Sequence, residues 1–125
     1  MLFNNVTNKL KLLSNIKWYY MEKIYNKLVR DRIPEIIERD GKRCLIETLS
    51  EEAYITALDK KIGEELSEYL SEPCLEELAD LTEVIYAAAV ARGFTLEELE
   101  RVRKAKAEKR GGFEKRIFLK SVFED

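Results

Sequence analysis

Residues 50–93 read SEEAYITALDKKIGEELSEYLSEPCLEELADLTEVIYAAAVARG, and the fold turns on this stretch. Ser50 suits an N-cap, and Glu51 and Glu52 complement the positive end of a helix dipole. Ala53, Ala57, Leu58, Ile62, Leu66, Tyr69 and Leu70 then recur at helical spacing, which predicts a helix to about Ser71. Pro73 suits the first turn of a following helix that runs to Arg92 and stops at Gly93. That following helix is apolar almost all round, so the pattern predicts a central element covered on several sides. The connection between the two is very short, which makes the pair antiparallel.

Working outward, Pro34 suits the first turn of a short helix, with Ile33, Ile36 and Ile37 on its apolar side and Gly41 just past its end. Residues 43–49 read as an extended connector. Thr95 and Glu98 form a capping box that opens a last helix, ending near Arg110 before Gly111 and Gly112. The tail, residues 113–123, reads as partly extended. The expected fold is all-α, a small helical bundle around a central antiparallel helix pair. With 5 Gly and 2 Pro in 125 residues, a sandwich of short strands is not expected.

Residues 1–20 differ from the rest. They carry Lys9, Lys11 and Lys17, no acid, and a loose stripe of Leu2, Val6, Leu10 and Leu13. Three readings stand: an amphipathic extension, a disordered arm, or upstream sequence translated from a mistaken start, with Met21 as the natural one. The domain proper is expected to span residues 21–125.

Composition excludes several chemistries. Histidine is absent, which removes Ser-His-Asp and Cys-His schemes and most zinc sites. Cys44 and Cys74 are too few and too far apart for a disulfide framework or a Cys-x-x-Cys site, and two ordinary thiols fit a cytoplasmic chain. The longest unbroken apolar run, residues 84–91, is far short of the ~20 residues a bilayer needs, so no membrane partner is expected. Polar residues interrupt the amino terminus, which does not read as a signal peptide.

Charge is unevenly distributed. Residues 47–100 hold 15 acidic and 3 basic side chains, and residues 101–120 hold 9 basic and 2 acidic. Two solvated helix faces that attract each other would explain this. So would a site in which carboxylates hold a cation and Lys and Arg hold an anionic substrate. No stacking-aromatic pattern accompanies the basic segment, so nucleic acid is not an expected partner.

The acids include two acid-x-x-acid pairs, Glu65/Glu68 and Glu77/Asp80, each on one helix face. Spacing alone means little, because roughly 4 to 5 such pairs are expected by chance at this composition. Position says more. Glu65 and Glu68 precede the turn centre near Glu72 by about the distance that Glu77 and Asp80 follow it, so the pairs share a height on antiparallel neighbours ~8–10 Å apart. Two like charges ~6 Å apart at an effective dielectric of ~20 repel by roughly 2–3 kcal/mol. A fold either turns such side chains to water or holds a divalent cation among them. An all-oxygen set points to Mg²⁺, with Mn²⁺ as the variant, and Mg²⁺ sites commonly share their ion with substrate phosphates. Lys27, Arg30 and Arg32 form one basic group; Arg103, Lys106, Lys109 and Arg110 form another beside the Gly-Gly pair. Surface solvation is the default for each of them. Lys61, one turn before Glu65, offsets the acid cluster and belongs with Glu64 and Glu65 in the candidate catalytic set.

Three motifs together carry a family resemblance: Tyr-Asn-Lys-Leu-Val-Arg-Asp-Arg-Ile-Pro-Glu-Ile-Ile at residues 25–37, Glu-Glu-Leu-Ala-Asp-Leu-Thr-Glu-Val at 76–84, and Lys-Arg-Gly-Gly-Phe at 109–113. With Glu65-x-x-Glu68 and Glu77-x-x-Asp80, they resemble short members of the MazG-like and phosphoribosyl-ATP-pyrophosphohydrolase-like group of all-α nucleoside triphosphate pyrophosphatases. The resemblance covers about residues 25–119; the gap between the acid pairs is shorter than in the broader group. It implies a Mg²⁺-dependent hydrolase that cuts the α–β phosphoanhydride of a nucleotide, releasing pyrophosphate and a monophosphate, in nucleotide-pool house-cleaning or in histidine synthesis. It also implies metal ligation by Glu65, Glu68, Glu77 and Asp80, a supporting role for Glu64 in orienting water, and a homo-oligomer, a dimer or tetramer, whose sites are lined by more than one chain. Lys27, Arg30, Lys106, Lys109 and Arg110 are the candidate substrate contacts. A non-catalytic helical interaction module is the reading from a different class.

Overall fold

The computed structural model describes residues 22–125, so the expectations for residues 1–20 lie outside the described residues. Four helices follow one another: α1 (Ile33–Arg39), α2 (Glu51–Ser71), α3 (Leu75–Ala91) and α4 (Leu96–Arg110). Among the described residues there is no strand, and no helix is long and apolar enough to cross a membrane.

The caps fall where their chemistry allows. Ser50 accepts a hydrogen bond from the Ala53 amide at 3.2 Å, and Thr95 accepts one from the Glu98 amide at 3.1 Å, each satisfying an otherwise orphaned donor. Gly93 ends α3 at φ +89°, and the Phe94 amide reaches back to the Ala89 carbonyl, a closure that needs a left-handed residue after the cap. Pro73 is not in the first turn of α3 as expected. It lies in the connection, between Glu72 (φ −139°, ψ 82°) and an extended Cys74, because proline pushes its predecessor out of helical backbone. The chain therefore needs three residues, 72–74, to reverse.

α2 and α3 pack along their length, and α4 touches α3 only lightly. The expectation that α3 is covered on several sides is not met among the described residues. No residue of α3 is buried, and Leu75, Leu78, Ile85, Tyr86 and Val90 are all exposed. Among the described residues Leu58 is the one buried hydrophobic side chain, at 3% exposure. The reason is geometric: α2 can cover one side of α3, and the rest of the described chain does not fold back over the others. Residues 113–125 carry no regular structure, and no strand forms in them.

Candidate functional site

Glu65 on α2 and Glu77 and Asp80 on α3 each place a carboxylate oxygen within 4.8 Å of the other two. The hairpin puts them at one height, and helical spacing turns Glu77 and Asp80 to the same side. Glu65 is 7% exposed, although it is charged. Glu65 Oε2 and Glu77 Oε2 are buried without a hydrogen-bond partner. An unsatisfied buried carboxylate oxygen is expensive, so two of them aimed at one small volume call for a cation or for protons. Oxygen donors from three acids fit a hard divalent ion such as Mg²⁺ or Mn²⁺.

Lys61, one turn before Glu65, sits 3.5 Å from Glu65 Oε1 and 3.6 Å from Glu64 Oε2. It thereby offsets part of the charge on α2. Glu64 is half-buried and paired with Lys61 rather than joined to the converging three. Glu68 is exposed and also stands outside the three, but its negative charge acts on both Glu65 and Glu77. The structure thus brings together three of the four acids expected to converge and leaves the fourth at the margin.

Desolvation pushes the Glu65 carboxyl above the usual glutamate range, with the Glu68 charge adding and Lys61 opposing. Glu77 moves the same way, first from desolvation and then from Glu68, Asp80 and Glu65. Both raised groups bind protons in the folded chain at pH values where they have released them in the unfolded one. Stability therefore falls as pH rises from the ordinary glutamate range, near 4.5, toward neutrality. In chelator, the thermal midpoint should be higher at about pH 5 than at about pH 7.5, and Glu65→Gln should flatten that slope while raising the neutral-pH midpoint. A slope unchanged by Glu65→Gln would rule out this carboxyl as its source.

Of the candidate substrate contacts, Arg30 comes to the acids. Its guanidinium donates to Asp80 Oδ1 at 2.7 Å, across 50 positions of sequence. Both side chains are substantially exposed, so the pair is weak in water and easily exchanged. Lys27 is exposed and lies over the Tyr25 ring, 5.8 Å from its centroid. Lys106, Lys109 and Arg110 are exposed on α4, and none of them pairs with the acids among the described residues. Two shallow grooves lie elsewhere, around Ile55, Val90 and Arg92 and around Tyr54, Tyr86 and Leu96. From Asp80 to Val90 is about 15 Å along the helix, so these grooves do not enclose the carboxylates.

Sequence reasoning missed the Arg30–Asp80 pairing, for which nothing local gives a signal. It also missed the exposed apolar tail, although Phe113, Ile117, Phe118, Leu119, Val122 and Phe123 after a Gly-Gly pair could have flagged it.

No family model matches this chain, and no solved structure does. A stretch of 41 residues is 54% identical to a protein of Mycolicibacterium smegmatis described as uncharacterized. The match takes in 33% of this chain and 42% of that protein's length. It brings no activity with it, so a functional reading rests on the geometry and on the motifs.

Proposed function

We propose that this protein is a divalent-cation-dependent nucleotide pyrophosphohydrolase with the helical arrangement of the MazG-like group, acting on the α–β phosphoanhydride of a nucleoside triphosphate. The observation that carries the reading is the convergence of Glu65, Glu77 and Asp80 from two helices, with two of their oxygens buried and unpaired. The motifs around residues 25–37, 76–84 and 109–113 support the nucleotide as substrate class. Glu65, Glu77 and Asp80 would hold Mg²⁺ or Mn²⁺, and Glu68, whose charge acts on Glu65 and Glu77, would complete the set. When bound, the ion supplies neutralisation of phosphate charge and a more acidic water.

The remaining work falls to the chain's own side chains. Glu64, freed from Lys61, would accept a proton from the attacking water and orient it. Lys61 limits repulsion on α2 and opposes the upward shift of the Glu65 carboxyl. Arg30 is the one candidate substrate contact already at the acids, and a phosphate group could take it from Asp80 in a charge-assisted exchange. Lys106, Lys109 and Arg110 lie with the Gly-Gly pair, where further phosphate oxygens could be met. The described residues of one chain do not wall in the base and sugar, so the reading includes a homo-oligomer. A cytoplasmic role in clearing unwanted nucleotides is the setting that fits it.

The test is release of pyrophosphate from a panel of ribo- and deoxyribonucleoside triphosphates and phosphoribosyl-ATP, with Mg²⁺ and with Mn²⁺. Pyrophosphate from the nucleotides supports house-cleaning; turnover confined to phosphoribosyl-ATP moves the assignment to that step of histidine synthesis. No release from any of them ends the proposal. Arg30→Gln should bind Mn²⁺ several-fold more tightly without nucleotide, because the ion no longer competes with a guanidinium, and should raise KM when nucleotide is present. Unchanged Mn²⁺ affinity would show that the pairing with Asp80 plays no part in occupancy of the site.

A further inference from the structure

Lys61 does more at the acid cluster than offset its charge, because it takes one particular oxygen. Its ammonium lies 3.5 Å from Glu65 Oε1, while Glu65 Oε2 is buried with no hydrogen-bond partner. One oxygen of this carboxylate faces the lysine, and the other is left for whatever the three acids hold. Glu65 is 7% exposed, so neither oxygen can be handed to bulk water instead.

Charge compensation alone does not explain where this lysine sits. Among the described residues Lys61 is the one lysine that is not exposed, with 17% of its side chain reaching solvent. Its neighbour Lys60 is exposed, and an ammonium in water beside α2 would screen the acids without the cost of being covered. Glu64 and Glu65 follow Lys61 by one helical turn, so the covered stem carries Nζ between them, with Glu64 Oε2 at 3.6 Å. The two distances are nearly equal, as befits one ammonium shared by two carboxylates. If Glu64 turns to a water, Glu65 keeps the lysine. Arg30 takes Asp80 Oδ1 in a similar way, but both of those side chains are substantially exposed and that pair exchanges easily. The covered pair is the lasting one.

Withholding one carboxylate oxygen matters more to some ions than to others. Ca²⁺ collects about six to eight oxygens, and a bidentate carboxylate is a common way to reach that number. Mg²⁺ is smaller, accepts about six, dehydrates reluctantly and takes few carboxylate oxygens. We propose that Lys61 is a positioning residue that keeps Glu65 a one-oxygen ligand, and thereby tilts the site toward Mg²⁺ and against Ca²⁺. This rests on the reading that Glu65, Glu77 and Asp80 hold a divalent ion, and not on which substrate is hydrolysed.

The test is ion binding to the full chain without nucleotide. Mn²⁺ occupancy is read from the electron paramagnetic resonance signal of the free ion, and Mg²⁺ and Ca²⁺ are ranked by how well each displaces it. Lys61→Met keeps the length of the stem and removes the ammonium. Loss of that positive charge should tighten Mg²⁺ and Ca²⁺ together, because both are doubly charged, so it cancels in the ratio of their affinities. The ratio itself should move about 10-fold or more toward Ca²⁺, since Glu65 can then offer its second oxygen. In Glu65→Gln the side chain has one carbonyl oxygen to give, and adding Lys61→Met there should leave the ratio within about twofold. An unchanged ratio in Lys61→Met, or the same shift in the Glu65→Gln background, overturns the proposal and leaves the ion site standing. A wild type that binds no Mn²⁺ overturns the ion site and this proposal with it. If Glu65→Gln binds too weakly to rank the ions, Lys61→Met alone decides. If circular dichroism shows that Lys61→Met loses helix, Lys61→Ala takes its place.

Discussion

Asp80→Asn should lower pyrophosphate release by at least ~100-fold, and Glu77→Gln should do the same. Each substitution keeps the shape of the side chain and removes one negative charge from three carboxylates whose oxygens lie within 4.8 Å of one another. A hard cation held by three such groups loses both a donor and part of the field that retains it. A ~100-fold loss corresponds to about 2.7 kcal/mol of transition-state stabilisation, a modest demand on one ligand of a divalent ion. The check is kcat and KM for the best nucleotide at saturating Mg²⁺, with folding followed by circular dichroism. Glu68→Gln provides the internal comparison, because Glu68 is exposed and outside the converging three. A smaller loss there assigns the ion to Glu65, Glu77 and Asp80. A loss as large as that of Asp80→Asn shows that Glu68 joins them when the ion is present. Wild-type rates in both Asp80→Asn and Glu77→Gln would mean that the acids are not the machinery of this reaction.

The second large effect is on stability. At free Mn²⁺ or Mg²⁺ about 100-fold above its dissociation constant, ion binding should stabilise the folded chain by about 2.7 kcal/mol. For a chain of this size, that raises the thermal midpoint by on the order of 10 °C. Glu65 and Glu77 carry buried, unpaired oxygens, and both are pushed toward protonation by desolvation and by the charges of Glu68 and Asp80. A cation relieves both penalties at once. Glu65→Gln/Glu77→Gln should be more stable than wild type in chelator at neutral pH, and should lose most of the ion-dependent gain. Protein concentration is held fixed throughout, since association would shift the midpoint by itself. If wild type and the double variant respond alike to Mn²⁺, the carboxylates are a solvated acidic face and the interaction-module reading takes over.

Much of the helical plan was legible because it is written in local chemistry. The Ser50 and Thr95 caps, the Gly93 terminator and the 3.6-residue apolar pattern act within a turn or two of backbone, and each is found where the residues place it. The start of α3 was misplaced by two residues because Pro73 is compatible with a helix's first turn and with the loop before it. The acids illustrate the limit more sharply. Five acid-x-x-acid spacings occur in the chain, and nothing in the spacing separates the pairs that matter from the others. Their distance from the turn did, for Glu65, Glu77 and Asp80, since a hairpin equates positions on its two arms. For Glu68 it did not, because a shared height does not settle which way a side chain points.

What the sequence determined alone is the set of helices, a very short reversal after Ser71 and the absence of imidazole chemistry, all consequences of residue type and short-range backbone preference. Tertiary structure alone decided that Glu65 is buried, that Arg30 pairs with Asp80 across 50 positions, and that α3 and the carboxyl-terminal arm remain uncovered. Burial and long-range pairing depend on which surfaces meet. An apolar residue records that it should be covered, and only the packed arrangement says whether its own chain can cover it.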